Sequence, residues 1–93
     1  MSTEMDGYRL ECTCDQYPEQ YDVFKGDVQV AYFRVRHGTF WVRMPTSQND
    51  VIFVCYPKGQ GAFEESEREH YLKMALSEVA WRLAAKENPH QVV

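Results

Sequence analysis

Cysteine, histidine and long apolar runs are all scarce in this sequence, and each scarcity closes off a class of protein. The three cysteines are an odd number without disulfide-scaffold spacing, which points to a reducing cytosol and a cytoplasmic protein. No run approaches the roughly 20 apolar residues of a membrane span, so no membrane partner is expected. Met1-Ser-Thr-Glu-Met-Asp6 is acidic and lacks an apolar core, so it does not read as a secretory signal. No lysine cluster is present, and a net charge of −4 argues against non-specific polyanion binding. No nucleophile, base and orienting group can be assembled from the chain, so neither an enzyme nor a cofactor is expected. Repeats and low-complexity segments are absent too. At 93 residues the chain reads as one domain, 1–93, with 1–7 unstructured and 88–93 a tail.

What is present is concentrated in Ala31 to Met44, two strands joined by a two-residue turn at His37-Gly38. That loop length fixes the register: 36 faces 39, 34 faces 41 and 32 faces 43 on one side of the sheet. On the other side 35 faces 40, 33 faces 42 and 31 faces 44. The second set is Val35, Phe40, Phe33, Val42, Ala31 and Met44, wholly apolar. The first is Arg36, Thr39, Arg34, Trp41, Tyr32 and Arg43, a grid of aromatics and guanidiniums. Segment charge follows the same division: −4 over residues 1–20, +2 over 21–44, zero over 45–61 and −2 over 62–93.

Tyr8 to Cys14 alternates with period two and reads as a strand, followed by a loop broken at Pro18. Tyr21 to Phe24 is another strand, turning through Lys25-Gly26-Asp27. Val28 and Val30 share parity with the polar grid, so either a bulge intervenes or the grid has an apolar margin. Beyond a polar loop, Pro45 to Asp50, the apolar run Val51 to Tyr56 reads as a strand covered on both faces. A six-residue loop sends Val51, Phe53 and Cys55 inward and leaves Ile52, Val54 and Tyr56 beside the grid; a loop one residue shorter swaps the two sets and still leaves three apolar side chains outside. Pro57 to Gly61 is a linker. A helix of about six turns then starts near Ser66, with Ser66 and Glu69 in a capping-box pattern and Leu72, Ala75, Leu76, Val79 and Leu83 on one stripe. Asn88-Pro89 ends it, and Met74, Trp81 and His70 lie opposite the stripe. The expected fold is α+β: an antiparallel sheet of four to five strands with one C-terminal helix packed on one face.

The candidate binding residues are Tyr32, Arg34, Arg36, Trp41, Arg43 and Tyr56. Cross-strand pairing accounts for Arg34 over Trp41 and Arg43 beside Tyr32 as cation–π pairs, but not for the neighbouring Ile52, Val54 and Tyr56. Trp, Tyr and Arg beside a contiguous apolar patch mark an interface, unless the N-terminal segment folds over it. Nucleic acid is the alternative ligand of the same face, because exposed aromatics stack bases and arginines meet phosphate. Cys12-x-Cys14 with Cys55 is too tightly and singly spaced for a zinc knuckle, so no metal is assigned. Lys58-Gly-Gln-Gly61 resembles a phosphate cradle only superficially, since Glu64, Glu65 and Glu67 follow it.

Pro18-Glu-Gln-Tyr-Asp-Val-Phe-Lys-Gly-Asp27, then Gln29-Val30, Tyr32, Arg34-x-Arg36-His37-Gly38, Phe40, Val42 and Pro45, resembles small uncharacterised proteins of bacterial phages and mobile elements. Pro57-Lys-Gly-x-Gly61-x-Phe63-Glu64 and Glu67-Arg68-x-x-Tyr71-Leu72 extend the resemblance, which runs from about residue 8 to 85. It implies a non-enzymatic accessory protein in the cytoplasm of a bacterial host, of the kind that docks on host or defence machinery such as CRISPR complexes. No functional residues come with it. The expected function is therefore that of a binding protein, an anti-CRISPR-like inhibitor docking on a protein partner through the outer sheet face. A homodimer through that face is the competing arrangement.

Overall fold

A computed structural model describes residues 2–14, 17–45 and 50–87, the side chains of residues 14, 50, 86 and 87 excepted. Its elements are β1 (Ser2–Met5), β2 (Tyr8–Cys14), β3 (Gln20–Lys25), β4 (Val28–Arg36), β5 (Thr39–Met44), β6 (Asp50–Cys55) and α1 (Glu65–Glu87). The strands form one antiparallel sheet in the order β1-β2-β3-β4-β5-β6, so each strand pairs with its neighbour in sequence. The α+β class and the C-terminal helix agree with expectation, but the sheet has six strands rather than four or five.

The added strand is β1. Residues 1–7, expected to be unstructured, supply Ser2–Met5 paired to β2, with Met5 opposite Tyr8. The signal was weak because β1 is short, polar and mostly exposed. Its register comes from a turn in which Asp6 and Gly7 both take positive φ, the geometry that matches strand twist in a two-residue hairpin. Pairing at the sheet edge also rules out the idea that Ser2–Met5 folds over the outer face.

The His37-Gly38 hairpin forms as the sequence dictates: φ is +55° at His37 and +75° at Gly38, and Arg36↔Thr39, Arg34↔Trp41 and Tyr32↔Arg43 are paired. Between β3 and β4 the register shifts, with Val23 opposite Ala31 but Phe24 opposite Gln29. The extra residue is Val30, so the bulge reading is the correct one. Val30 and Ala31 are both buried although adjacent, and Val28 is left in solvent.

A second bulge revises β6. Phe53 and Cys55 pair with Val42 and Phe40, as expected, but Val51 pairs with Arg43 and Ile52 is the unpaired residue. Val51, expected inside, is therefore 43% exposed, and Ile52, expected outside, packs on the core. A one-residue insertion inverts the parity of everything before it, and the alternation of an all-apolar strand cannot reveal where it falls.

The core lies between the inner face and α1. Phe33, Phe40, Val42, Val35 and Met44 are buried with Leu72, Ala75, Leu76 and Val79, and Leu83 packs at the margin. Phe63, just before α1, fills the end of this layer, with its ring 4.8 Å from Phe40 and stacked 5.7 Å from Tyr71. Met74 and Trp81 face solvent, opposite the buried stripe. The helix starts at Glu65, next to the expected Ser66, but the capping pair is two residues earlier, at Glu64 and Glu67 rather than Ser66 and Glu69. Glu64 precedes the first turn, and its N–H donates to Glu67 Oε2 at 2.9 Å, the return bond of a capping box. The expectation that Asn88-Pro89 ends the helix lies outside the described residues, as do the 88–93 tail and most of the Pro45–Asp50 loop.

Candidate functional site

Cross-strand register places Tyr32, Arg34, Trp41 and Arg43 together on the outer face of β4 and β5. The Arg34 guanidinium stands 5.6 Å from the Trp41 ring centroid and the Arg43 guanidinium 4.9 Å from it. Arg43 thus stacks on Trp41 rather than on Tyr32, its expected partner. Tyr32 instead donates its hydroxyl to Gln20 Oε1 at 2.8 Å. One indole therefore carries two guanidiniums. The Nε atoms of both arginines are buried and have no hydrogen-bond partner among the described residues.

Val54, opposite Trp41, is 45% exposed and extends the grid with apolar surface, as does Val51 opposite Arg43. Arg36 and Tyr56 do not join the stack. Arg36 is exposed, and its Nε donates to His37 Nε2 at 3.2 Å, beside a cleft of about 220 Å³ that Tyr17, Pro18, Gln60 and Gly61 also line. Tyr56 lies past the last paired residue of β6 and is 76% exposed.

The same face carries acids on its other half. Register aligns Glu11, Asp22, Tyr32 and Arg43 in one row across β2 to β5. Glu11 and Asp22 are thus direct cross-strand neighbours of like charge, a destabilising arrangement. Glu11 has only Arg9, 3.9 Å away, and Asp22 accepts a bond from the Gln29 amide at 3.2 Å. Arg34, Arg36 and Arg43 make no ion pair among the described residues. Charge on this face is uneven: Glu11 and Asp22, with Arg9 beside Glu11, lie over β2 and β3, and Arg34, Arg36 and Arg43 lie over β4 and β5.

A second polar centre escaped sequence reasoning. Glu19, 5% exposed, accepts from Arg68 Nε (2.8 Å), Arg68 Nη2 (3.1 Å), the Phe63 N–H (3.0 Å) and the Tyr21 hydroxyl. Its own N–H donates to the Gly61 carbonyl, and its carbonyl accepts from Val35. Burial alone would raise the Glu19 carboxyl, but Arg68, Tyr21 and the Phe63 amide outweigh it and hold the group below its ordinary range. Burial, then the Glu19 charge, pushes the Tyr21 phenol up, so it remains a donor. Sequence separations of 44 and 49 residues hid this centre. It locks the linker and helix start onto β3, and Tyr21 and Arg68 also line a cleft of about 210 Å³.

The Lys58–Gly61 loop does cradle an anion, and the anion is the chain's own. The N–H groups of Lys58 and Gly59 both donate to the Glu67 carboxylate at 2.9 Å. Burial would raise Glu67, but these amides and that of Glu64 hold it below the usual range. Burial pushes the Cys55 thiol up to about 11, with the Glu67 charge adding to the effect. Among the described residues no three His, Cys, Asp or Glu side chains gather as metal ligands, and no helix is long and apolar enough to cross a membrane. In the comparison with known proteins, no family model, curated protein or solved structure matches this chain.

Proposed function

We propose that this chain is a non-catalytic binding protein that docks on a protein through the outer face of β4 to β6. The observation that carries the reading is the Arg34–Trp41–Arg43 stack on the outer face, whose arginines make no ion pair among the described residues. A Trp flanked by arginines beside exposed Val51 and Val54 has the make-up of a binding hot spot. Protein is favoured over nucleic acid because guanidiniums already occupy the indole that would stack a base, and Glu11 and Asp22 on the same face repel phosphate. The resemblance to phage and mobile-element proteins extends the proposal to an inhibitor acting on a host or defence complex in a bacterial cytoplasm.

Capture from a bacterial lysate tests it, with wild type and Trp41→Ala immobilised at low density, each with and without nuclease. Wild type is expected to retain protein that survives nuclease and that Trp41→Ala fails to hold. Equal retention by both forms would remove Trp41 from the site. Loss of all retention on nuclease treatment would transfer the face to nucleic acid.

A further inference from the structure

We infer that in the free protein the outer sheet face is covered by a second copy of the chain, in a two-fold pair that sets the acidic half of each face on the basic half of the other. The inference rests on the reading of this face as a docking surface and names its resting occupant.

Charge selects the geometry. A two-fold axis parallel to the strands, between β3 and β4, lays β2 and β3 of one copy over β5 and β4 of the other. Row order is preserved, so Glu11 comes over Arg43 of the second copy and Asp22 over Tyr32 of the second copy, one pleat from its Arg34. Gln20 comes over Arg34 of the second copy. Each cluster meets the opposite one: Glu11, which has Arg9 3.9 Å away, and the adjacent Asp22 gain cations from the second copy, and the guanidiniums of Arg34 and Arg43, which make no ion pair among the described residues, gain carboxylates. An axis perpendicular to the strands would instead stack basic half on basic half. The two half-faces occur once per chain, so one two-fold contact satisfies both and the assembly closes at two.

An aligned two-fold pair would crowd Arg34, Arg36 and Arg43 against their own symmetry mates; the axis between β3 and β4 offsets them toward Glu11 and Asp22 instead. Strand spacing of about 4.8 Å and a rise of about 3.3 Å per residue give the six-stranded face roughly 500 Å² per copy, about 1,000 Å² buried in total. That is near the lower end of specific interfaces and fits a reversible dimer that a better partner can displace.

Charge reversal and mixing test the pairing. Arg34→Glu/Arg43→Glu makes the face predominantly acidic, and Glu11→Arg/Asp22→Arg makes it predominantly basic. Sedimentation of wild type from about 1 µM to about 200 µM is expected to show a monomer–dimer equilibrium in the micromolar range. Each reversed variant should sediment as a monomer, and an equimolar mixture of the two should dimerise. Far-UV circular dichroism checks that each variant is folded. Where reversal unfolds the chain, Arg34→Gln/Arg43→Gln and Glu11→Gln/Asp22→Asn are expected to weaken dimerisation at least about tenfold. A monomeric wild type, a reversed variant that still self-associates, or a mixture that stays monomeric overturns the inference. A monomeric wild type whose lysate capture still depends on Trp41 would leave the docking reading standing and remove only the second copy.

Discussion

Glu19 shows how much one side chain can hold. Its carboxylate takes bonds from Arg68, Phe63 and Tyr21, so truncation strands the Phe63 N–H and leaves Arg68 with only Glu65 and the Phe63 carbonyl. Glu19→Ala is expected to cost about 3 kcal/mol in a urea titration, the lower end for breaking a buried pair because Arg68 keeps some solvent. A group whose folded pKa is depressed contributes stability above its unfolded value, and that contribution is lost as pH falls through the folded value. The thermal midpoint should therefore hold down to about pH 4.5, the ordinary glutamate value, and decline below it. Glu19→Gln should flatten that decline. A midpoint that falls equally in both proteins would assign the acid sensitivity elsewhere. Cys55 gives a further residue-level expectation: with its thiol pushed up to about 11, it should alkylate far more slowly than free cysteine at neutral pH.

At the scale of elements, legibility depended on how local the determining interaction was. The β4–β5 hairpin was readable residue by residue, because a two-residue turn and strict alternation specify its register without outside help. The Val30 bulge was visible as a conflict of parity. The Ile52 bulge was not, because Val51 to Val54 is apolar at every position. The helix stripe and its start near Ser66 were legible, but its cap was not: Glu67 sits where it does because Lys58 and Gly59 turn their N–H groups toward it. Ser66→Ala should accordingly change stability by no more than about 0.5 kcal/mol, whereas Glu67→Ala should cost about 1–2 kcal/mol. Thermal melts of the two side by side separate the cap positions. Gly59→Ala should also destabilise, since a Cβ there would run into the Ala62 carbonyl oxygen. In the sheet, Phe40→Ala removes the ring that meets Phe33, Phe53 and Phe63 and should cost about 3–5 kcal/mol.

At the scale of the whole molecule, the two faces of the sheet have opposite characters. The inner face is covered by α1 and has its apolar surface satisfied. The outer face keeps opposite charges on opposite halves and an indole between two cations. Of that site, the sequence disclosed the basic half, since Arg34, Trp41 and Arg43 follow from one hairpin. Glu11 and Asp22 were legible as acids, but their place in one row with Tyr32 and Arg43 needed the β2–β3 and β3–β4 pairings, and the latter includes a bulge. If the face instead bound nucleic acid, removing Arg34, Arg36 or Arg43 would each flatten the salt dependence by roughly one phosphate contact. The expected result is no binding of single- or double-stranded oligonucleotides at low salt.

The meander also has a kinetic consequence. Every strand pairs with its sequence neighbour, so most of the sheet can form by closing short loops, which favours rapid folding. The Glu19 contacts to Phe63 and Arg68 close the longest loops of the buried network and can form only after the helix arrives. A clamp assembled that late lies on the native side of the barrier. Glu19→Gln should therefore leave the refolding limb of the chevron in place and lift the unfolding limb, so that the clamp sets how long the molecule stays folded and not how fast it gets there.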